Sequence, residues 1–369
     1  MISSIRLQHL RSYSDESFEF EEGVNIIVGP NGSGKTNLLE AILVISSGGS
    51  YRARDLELIQ FGKTLPTGRQ AWARLDGQFE KHTRVLKLVL QGVALQKIFE
   101  LDDKPFKRLS LERTVPVVLF EPNHLQLVTR GPSRRRDYFD DILQRTMPGF
   151  KSLDGRYRRT LAQRNSLLKQ NRTRAAGQLF AWDVRLSQLG AQIVEARLRL
   201  IENINGSIPK VYSAIAGQKS KVELAYQTPI STANYSSQLL SKLEANAEAD
   251  FTRGFTAYGP HREDIAIYLN GQPAVATASR GEMRSLLLAL KIFELKLLES
   301  VRDQKPIFLL DDVFSELDGA RRKHLVEHLK GYQTIITTTD AEAVLEYFAT
   351  GKHKLIALAA GRTVNGKRL

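Results

Sequence analysis

Residues 24–42 read VNIIVGPNGSGKTNLLEAI, and this stretch decides the architecture. Val24 to Val28 is a short β-branched apolar run of the kind that forms a buried strand. GPNGSGKT follows at once (Gly29, Pro30, Asn31, Gly32, Ser33, Gly34, Lys35, Thr36) and satisfies G-x-x-x-x-G-K-[ST] in full. A helix is predicted from Thr36 to Ile45. Strand, glycine turn and helix in that order make a phosphate cradle. The glycines let the backbone curl so that its N–H groups face phosphate oxygens, and the helix N-terminus adds a dipole that favours anions. Lys35 is expected to reach the β- and γ-phosphates and the Thr36 hydroxyl to ligate Mg2+, which makes ATP the expected ligand.

A second half-site lies far downstream. Pro306 to Asp312 reads PIFLLDD, an apolar strand ending in two acids. Asp311 is expected to hold the metal through water and Asp312 to polarise the attacking water. Just upstream, Ser279-Arg280-Gly281-Glu282 opens a long helical pattern. Ser279 is a fitting N-cap, and Gly281 permits close approach of a phosphate. Read alone, S-x-G is simple helix capping; in this position it resembles the signature of ABC ATPases, where one protomer's signature closes the ATP of another. The loop after the acidic strand, with Ser315 and Asp318, occupies the place of an ABC dimer-interface loop.

Around these motifs the chain alternates strand and helix at both ends. Strands are predicted at Ile2 to Leu10, Ser17 to Phe20, Thr83 to Leu90, Val117 to Phe120, Thr334 to Thr338 and Leu355 to Ala359. Helices are predicted near Ala320 to Leu329 and Ala341 to Ala349. From Ser133 to about Ile204 the pattern is helical, with Leu186, Leu189, Ile193, Ala196, Leu200 and Ile204 on one stripe. Asn270-Gly271 between Asp264 to Leu269 and Pro273 to Thr277 is a hairpin signal. The expected fold is α/β: a P-loop ATPase head with a mixed sheet, built from residues 1–130 and 255–369, with a helical arm, residues 131–254, inserted.

The chain has 369 residues, 53 Lys/Arg against 40 Asp/Glu, and no cysteine. Thiolate metal sites, disulfides and cysteine nucleophiles are thereby excluded. The segment from Arg130 to Arg174 holds 13 Lys/Arg and four acids, so it carries an excess of nine out of a net +13. Eleven of the thirteen are Arg, the better phosphate fork. Arg134, Arg135, Arg136, Arg156, Arg158, Arg159 and Arg164 are the candidate DNA contacts. Arg52 is read either as a phosphate or DNA contact or as a surface salt bridge. His261 and Arg262 face nucleotide or DNA, or only form a turn. The N-terminus lacks a signal-peptide core, and Leu286 to Leu298 is too short and too charged to span a bilayer, so a cytoplasmic protein is expected.

Taken together, LRSY (Leu10–Tyr13), the phosphate loop, SYRARD (Ser50–Asp55), GPSRRRDYFD (Gly131–Asp140), QRNSLLK (Gln163–Lys169), GPHREDI (Gly259–Ile265), SRGE, LLDDVFSELD and ITTT (Ile336–Thr339) resemble the RecF family over most of the chain. The resemblance implies an ABC-type head with a helical arm, ATP-dependent homodimerisation, binding of double-stranded and gapped DNA, and slow DNA-stimulated hydrolysis. It also implies work with RecR and RecO to direct RecA onto gapped DNA, in replication, repair and the SOS response. Glu282 stands where Gln is usual, Asp312 where transporters carry Glu, Thr339-Asp340 at the switch position, and Glu121 near the expected Q-loop residue. A competing reading is an ABC-type scaffold that recruits protein partners and touches DNA incidentally. A head with long coiled-coil arms and a small-molecule kinase fit the spacing less well.

Overall fold

The computed structural model describes residues 1–60, 71–80, 82–170, 172–217, 219–348 and 353–359, with the side chains of 172–176 outside that description. The description thus omits Ala349, at the end of a predicted helix, and the side chains of Arg172 and Arg174 in the basic run. Among the described residues the strands form three sheets, and the chain divides into two units. One unit holds residues 1–124 and 294–369; the other holds residues 125–293.

In the first unit, Val24–Val28 is buried at its centre and pairs in parallel on both sides, with Thr334–Thr338 and His353–Ala357. Ile307–Asp311 lies beyond Thr334–Thr338, and Val117–Phe120 completes the five-stranded order. Runs of Ile, Leu, Phe and Thr, buried throughout Ile307–Asp311 and Thr334–Thr338, are what a parallel sheet covered on both faces requires. The second sheet is antiparallel, in the order Tyr13–Glu19, Ile2–Leu10, Trp72–Phe79, His82–Gln91, Ala94–Leu101, Lys104–Phe106. The strand expected at Ser17 starts earlier because a tight turn pairs Leu10 with Tyr13 directly.

The helix Lys35–Ser47 is held between these two sheets. Leu38, Leu39, Ile42 and Ile45 share one core with Leu7, Leu75 and Leu86 of the antiparallel sheet and with Leu119, Leu309 and Ile335 of the parallel one. Its C-terminal end is closed by buried Arg84, which donates to the carbonyls of Ile45 (3.1 Å) and Arg113 (2.6 Å). A cation is well placed at that end of the helix dipole.

The second unit is built on Pro132–Thr146, Phe150–Leu168 and the 45-residue helix Arg172–Ala216. The predicted stripe from Leu186 to Ile204 is buried. Its sheet is Gln272–Pro273, Asp264–Leu269, Val222–Gln227. The outer edge of Val222–Gln227 is met by a side chain: Asn205 Nδ2 donates to the Leu224 carbonyl at 2.9 Å, and Leu224 N donates back to Oδ1 at 2.8 Å. The hairpin turn has Asn270 at φ 52° and Gly271 at φ 80°. The strand expected at Pro273 to Thr277 is not formed: after Pro273 the chain becomes the helix Ala274–Thr277. Proline has no N–H to extend the ladder, and its φ of −58° leads into a helical turn.

The boundary expected at 254/255 also moves. Asp264–Leu269 pairs with Val222–Gln227, and Arg135 is ion-paired with Asp264 at 2.7 Å, so residues 255–293 belong with the helical unit. The first junction falls after His124 rather than at 130. No helix among the described residues is long and apolar enough to cross a membrane.

Candidate nucleotide site

The phosphate loop leaves the end of Val24–Val28 and runs into the helix at Lys35. Gly34 sits at φ 100°, and a Cβ there would lie 2.9 Å from the Tyr13 hydroxyl oxygen, so both backbone and space demand glycine. Tyr13 Oη donates to the Gly34 carbonyl at 2.9 Å, and Asn37 Nδ2 donates to Ser12 Oγ at 3.0 Å. The turn of the antiparallel sheet therefore fastens the loop at its entry to the helix. Gly29 is fixed by contact instead: a Cβ would meet the Leu358 carbonyl at 2.5 Å. Pro30, Asn31, Gly32 and Ser33 complete the loop, with Gly32 at φ 81°.

Lys35 is buried and donates to the carbonyls of Gly29 (2.6 Å) and Pro30 (3.1 Å). Burial lowers its pKa, and the carboxylates of Asp312 and Asp311 oppose that shift. Thr36 Oγ1 donates to Asp311 Oδ1 at 3.1 Å, joining residues 275 apart in sequence. The parallel register brings this about, because Ile307–Asp311 lies one strand removed from Val24–Val28. Asp312 has φ 54°, a left-handed backbone rare for a side chain other than glycine. Its N–H donates to Thr337 Oγ1 at 3.0 Å, and Ser315 Oγ donates to its carbonyl at 2.7 Å. Burial, reinforced by Asp311, raises the Asp312 carboxyl above its ordinary value, with Lys35 pulling the other way. Asp318, expected in an interface loop, caps the helix Gly319–Leu329 by accepting from Arg321 N at 3.0 Å.

Arg52 resolves into a salt bridge. It donates to Glu40 at 2.9 Å and to Asn37 Oδ1 at 2.7 Å, while Arg11 reaches Glu40 at 3.0 Å. Burial alone would raise the Glu40 carboxyl, but hydrogen bonds from Arg52, Arg11 and Ser50 outweigh it and hold the group below its ordinary range. Glu121 follows Phe120, which stands opposite Leu310 in the parallel register, so Glu121 is at the same sheet end as Asp311.

Ser279 and Gly281 lie in the second unit. Glu282 accepts from Ser279 N–H at 2.8 Å, and Ser279 Oγ accepts from Glu282 N at 3.3 Å, a reciprocal capping box. The carboxylate at the Gln position is thus turned back onto its own helix start, and those hydrogen bonds lower its pKa.

Two of the candidate DNA contacts, Arg164 and Arg135, are buried ion-pair partners instead. Arg164 is fully buried and binds Asp183 (2.5 Å), Asp250 (2.7 Å) and Thr256 Oγ1 (2.9 Å). Arg135 is buried against Asp264. Both fall on the inward stripes of their helices, with Leu153, Tyr157, Thr160 and Leu167 in one case and Phe139 and Ile142 in the other. Arg136 is half-buried and donates to the Glu263 carbonyl at 2.7 Å. Arg158 is exposed but pairs through Nε with both oxygens of Asp154 at 2.9 Å. Arg134, Arg156 and Arg159 are exposed. His261 is internal: Tyr157 Oη lies 2.7 Å from Nδ1, and Nε2 lies 3.2 Å from the Thr256 carbonyl.

Sequence reasoning passed over Thr337, Tyr13 and Glu40. Thr337 Oγ1 donates to Asp311 Oδ1 at 2.8 Å as well as accepting from Asp312 N. No local motif marks these residues, although all three stand inside stretches that carry the family resemblance.

A phosphate loop on a parallel strand, a hydroxyl–carboxylate pair at the sheet's end, and a second antiparallel sheet over the loop helix define an α/β ATPase head of the ABC type. The sequence matches the family described as RecF/RecN/SMC N terminal domain over residues 1–359. It is 35% identical over 354 residues to the DNA replication and repair protein RecF of Heliobacterium modesticaldum, covering 93% of each chain. It is 30% identical over 372 residues to that of Acetivibrio thermocellus, covering 98% of this chain and 99% of the other. A solved structure described as the recombination mediator protein RecF-ATPrS in the RecFOR pathway superposes with a TM-score of 0.84 at 29% identity, over 98% of this chain and 96% of that one. An Smc head bound to the C-terminal winged-helix domain of ScpA shares the fold at a TM-score of 0.54 and 18% identity, over 98% of this chain and 97% of the other. The chain belongs to the RecF family of DNA replication and repair proteins.

Proposed function

We propose that the chain is an ATP-switched DNA-binding recombination mediator, acting in the cytoplasm. The observation that carries this reading is the Thr36–Asp311 contact, which assembles the two halves of a nucleotide site from opposite ends of the chain. A relative described as RecF-ATPrS supports the choice of nucleotide. In this reading the N–H groups of Gly29 to Thr36 cradle the phosphates and Lys35 leaves its loop carbonyls for the β- and γ-oxygens. Thr36 and Asp311 are hard oxygen donors already in contact, which fits Mg2+, an ion held by phosphates and one or two side chains rather than by a protein cage. When bound, it would neutralise phosphate charge. Asp312, with its raised pKa, accepts the proton of the attacking water, and Thr337 and Ser315 orient it.

Ser279 and Gly281 of a second copy would close the site, so that ATP drives dimerisation and slow hydrolysis reverses it. Arg134, Arg156 and Arg159 supply phosphate contacts to duplex or gapped DNA with little sequence readout. By family resemblance the partners are RecR and RecO, with RecA loading and SOS induction as the outcome. One observation favours the scaffold reading in part: burial of Arg135 and Arg164 and pairing of Arg158 remove three cations from the DNA-facing set. Solution mass with and without ATP, for wild type, Lys35→Met and Ser279→Arg, tests the proposal. An ATP-dependent dimer absent in both variants supports it, and a monomer under all conditions removes the composite-site argument.

A further inference from the structure

Tyr51 turns its polar end into the interior of the nucleotide-binding unit. Its ring packs against the core around the phosphate-loop helix, and the Arg52 guanidinium lies 5.8 Å from the ring centroid. Its hydroxyl oxygen is buried and has no hydrogen-bond partner among the described residues. Burial raises the phenol pKa; the charges of Glu121, Asp311 and Glu40 add to that shift, and the Arg52 guanidinium opposes it. Glu121 and Asp311 terminate adjacent parallel strands on the side where the phosphate loop lies. Glu40 is engaged by Arg11, Arg52 and Ser50, and Asp311 by Thr36 and Thr337.

A buried hydroxyl left unpaired costs about 1–3 kcal/mol, and phenylalanine would fill the same space without that cost. The burden falls at the acidic end of a phosphate site, where a donor for an anionic oxygen is wanted. Burial and the neighbouring acids also keep the phenol protonated well beyond its ordinary range, so it remains a neutral donor.

We infer that the Tyr51 hydroxyl is a nucleotide-binding group that donates to an oxygen of the terminal phosphate. This rests on the nucleotide reading above and deepens it, because it makes Tyr51 a sensor of ATP against ADP. Lys35 neutralises the phosphates by charge; Tyr51 adds a directional contact that only the triphosphate completes.

The test compares wild type with Tyr51→Phe in three measurements: thermal unfolding without nucleotide, affinity for ATP, and affinity for ADP. The expected result is an unfolding temperature equal to or above wild type, unchanged ADP affinity, and ATP affinity lower by about ten-fold, the size of one hydrogen bond to a charged group. An unchanged ATP to ADP preference would overturn the inference. So would a lower unfolding temperature without nucleotide, since it would mean that the hydroxyl serves the fold. If wild type binds neither nucleotide while Lys35→Met behaves identically, the nucleotide reading itself fails and takes this inference with it.

Discussion

Thr337 is tied to Asp311 by a 2.8 Å hydrogen bond, and the same hydroxyl oxygen receives the N–H of Asp312 at 3.0 Å. One side chain on the neighbouring strand thus sets the direction of a carboxylate and the strained peptide that follows it. Thr337→Val keeps the shape and deletes both bonds. We expect about 1–2 kcal/mol of lost stability and hydrolysis reduced by about ten-fold or more, with ATP affinity near wild type. Thr337→Ser should restore most of both, as read by denaturant unfolding and phosphate release.

Tyr13→Phe removes the hydrogen bond to the Gly34 carbonyl without altering the packed ring. The loop then loses the clamp that fixes its last peptide. The expected outcome is weaker binding of ATP and ADP alike, by about five- to ten-fold. This pattern separates Tyr13 from Tyr51, whose loss is expected to act on ATP alone. Equilibrium titration of both nucleotides checks it.

The arginines of the helical unit divide into two classes. Arg164→Met strands Asp183 and Asp250 in the interior and should cost about 3–5 kcal/mol. Arg156→Glu with Arg159→Glu should leave the unfolding midpoint nearly unchanged and weaken DNA binding, with a shallower dependence on salt. Affinity measured at several salt concentrations, beside unfolding curves, distinguishes the two.

His261 predicts an acid weakness. Burial, partly opposed by the hydrogen bond to the Thr256 carbonyl, pushes its pKa down from 6.5 to about 4. Above pH 6.5 the ring is neutral whether folded or unfolded, and its full contribution is present. As pH falls from 6.5 towards 4, the unfolded chain takes up a proton that the folded one refuses, and about 3 kcal/mol is lost. Unfolding followed across this window should show a steeper loss for wild type than for His261→Gln.

What was legible in the sequence was what is local in the chain. Lys35 and Thr36 follow from eight consecutive residues, and Asp311 from an apolar run that ends in acid. The asparagine–glycine turn was legible too, because its dihedral angles depend on the two residues themselves. Thr337 and Tyr13 were not, because their partners are set by strand register and by the stacking of one sheet over a helix. Arg135 and Arg164 depart from the expected DNA-facing set for a different reason: a charge excess along the chain says nothing of exposure, which follows helical period. Arg164 falls on the same three-and-four spacing as Leu153, Tyr157, Thr160 and Leu167, and that spacing was available in the sequence.

The order of the parallel sheet has a consequence for how the chain is made. Val24–Val28 is synthesised well before both strands that flank it, Thr334–Thr338 and His353–Ala357. Until those strands are made, the strand that bears the phosphate loop waits with both edges open. A prematurely terminated product would keep that sticky apolar ribbon permanently unsatisfied, a hazard for aggregation. Such a fragment would be a substrate for chaperones and proteases, not a weakened version of the full protein.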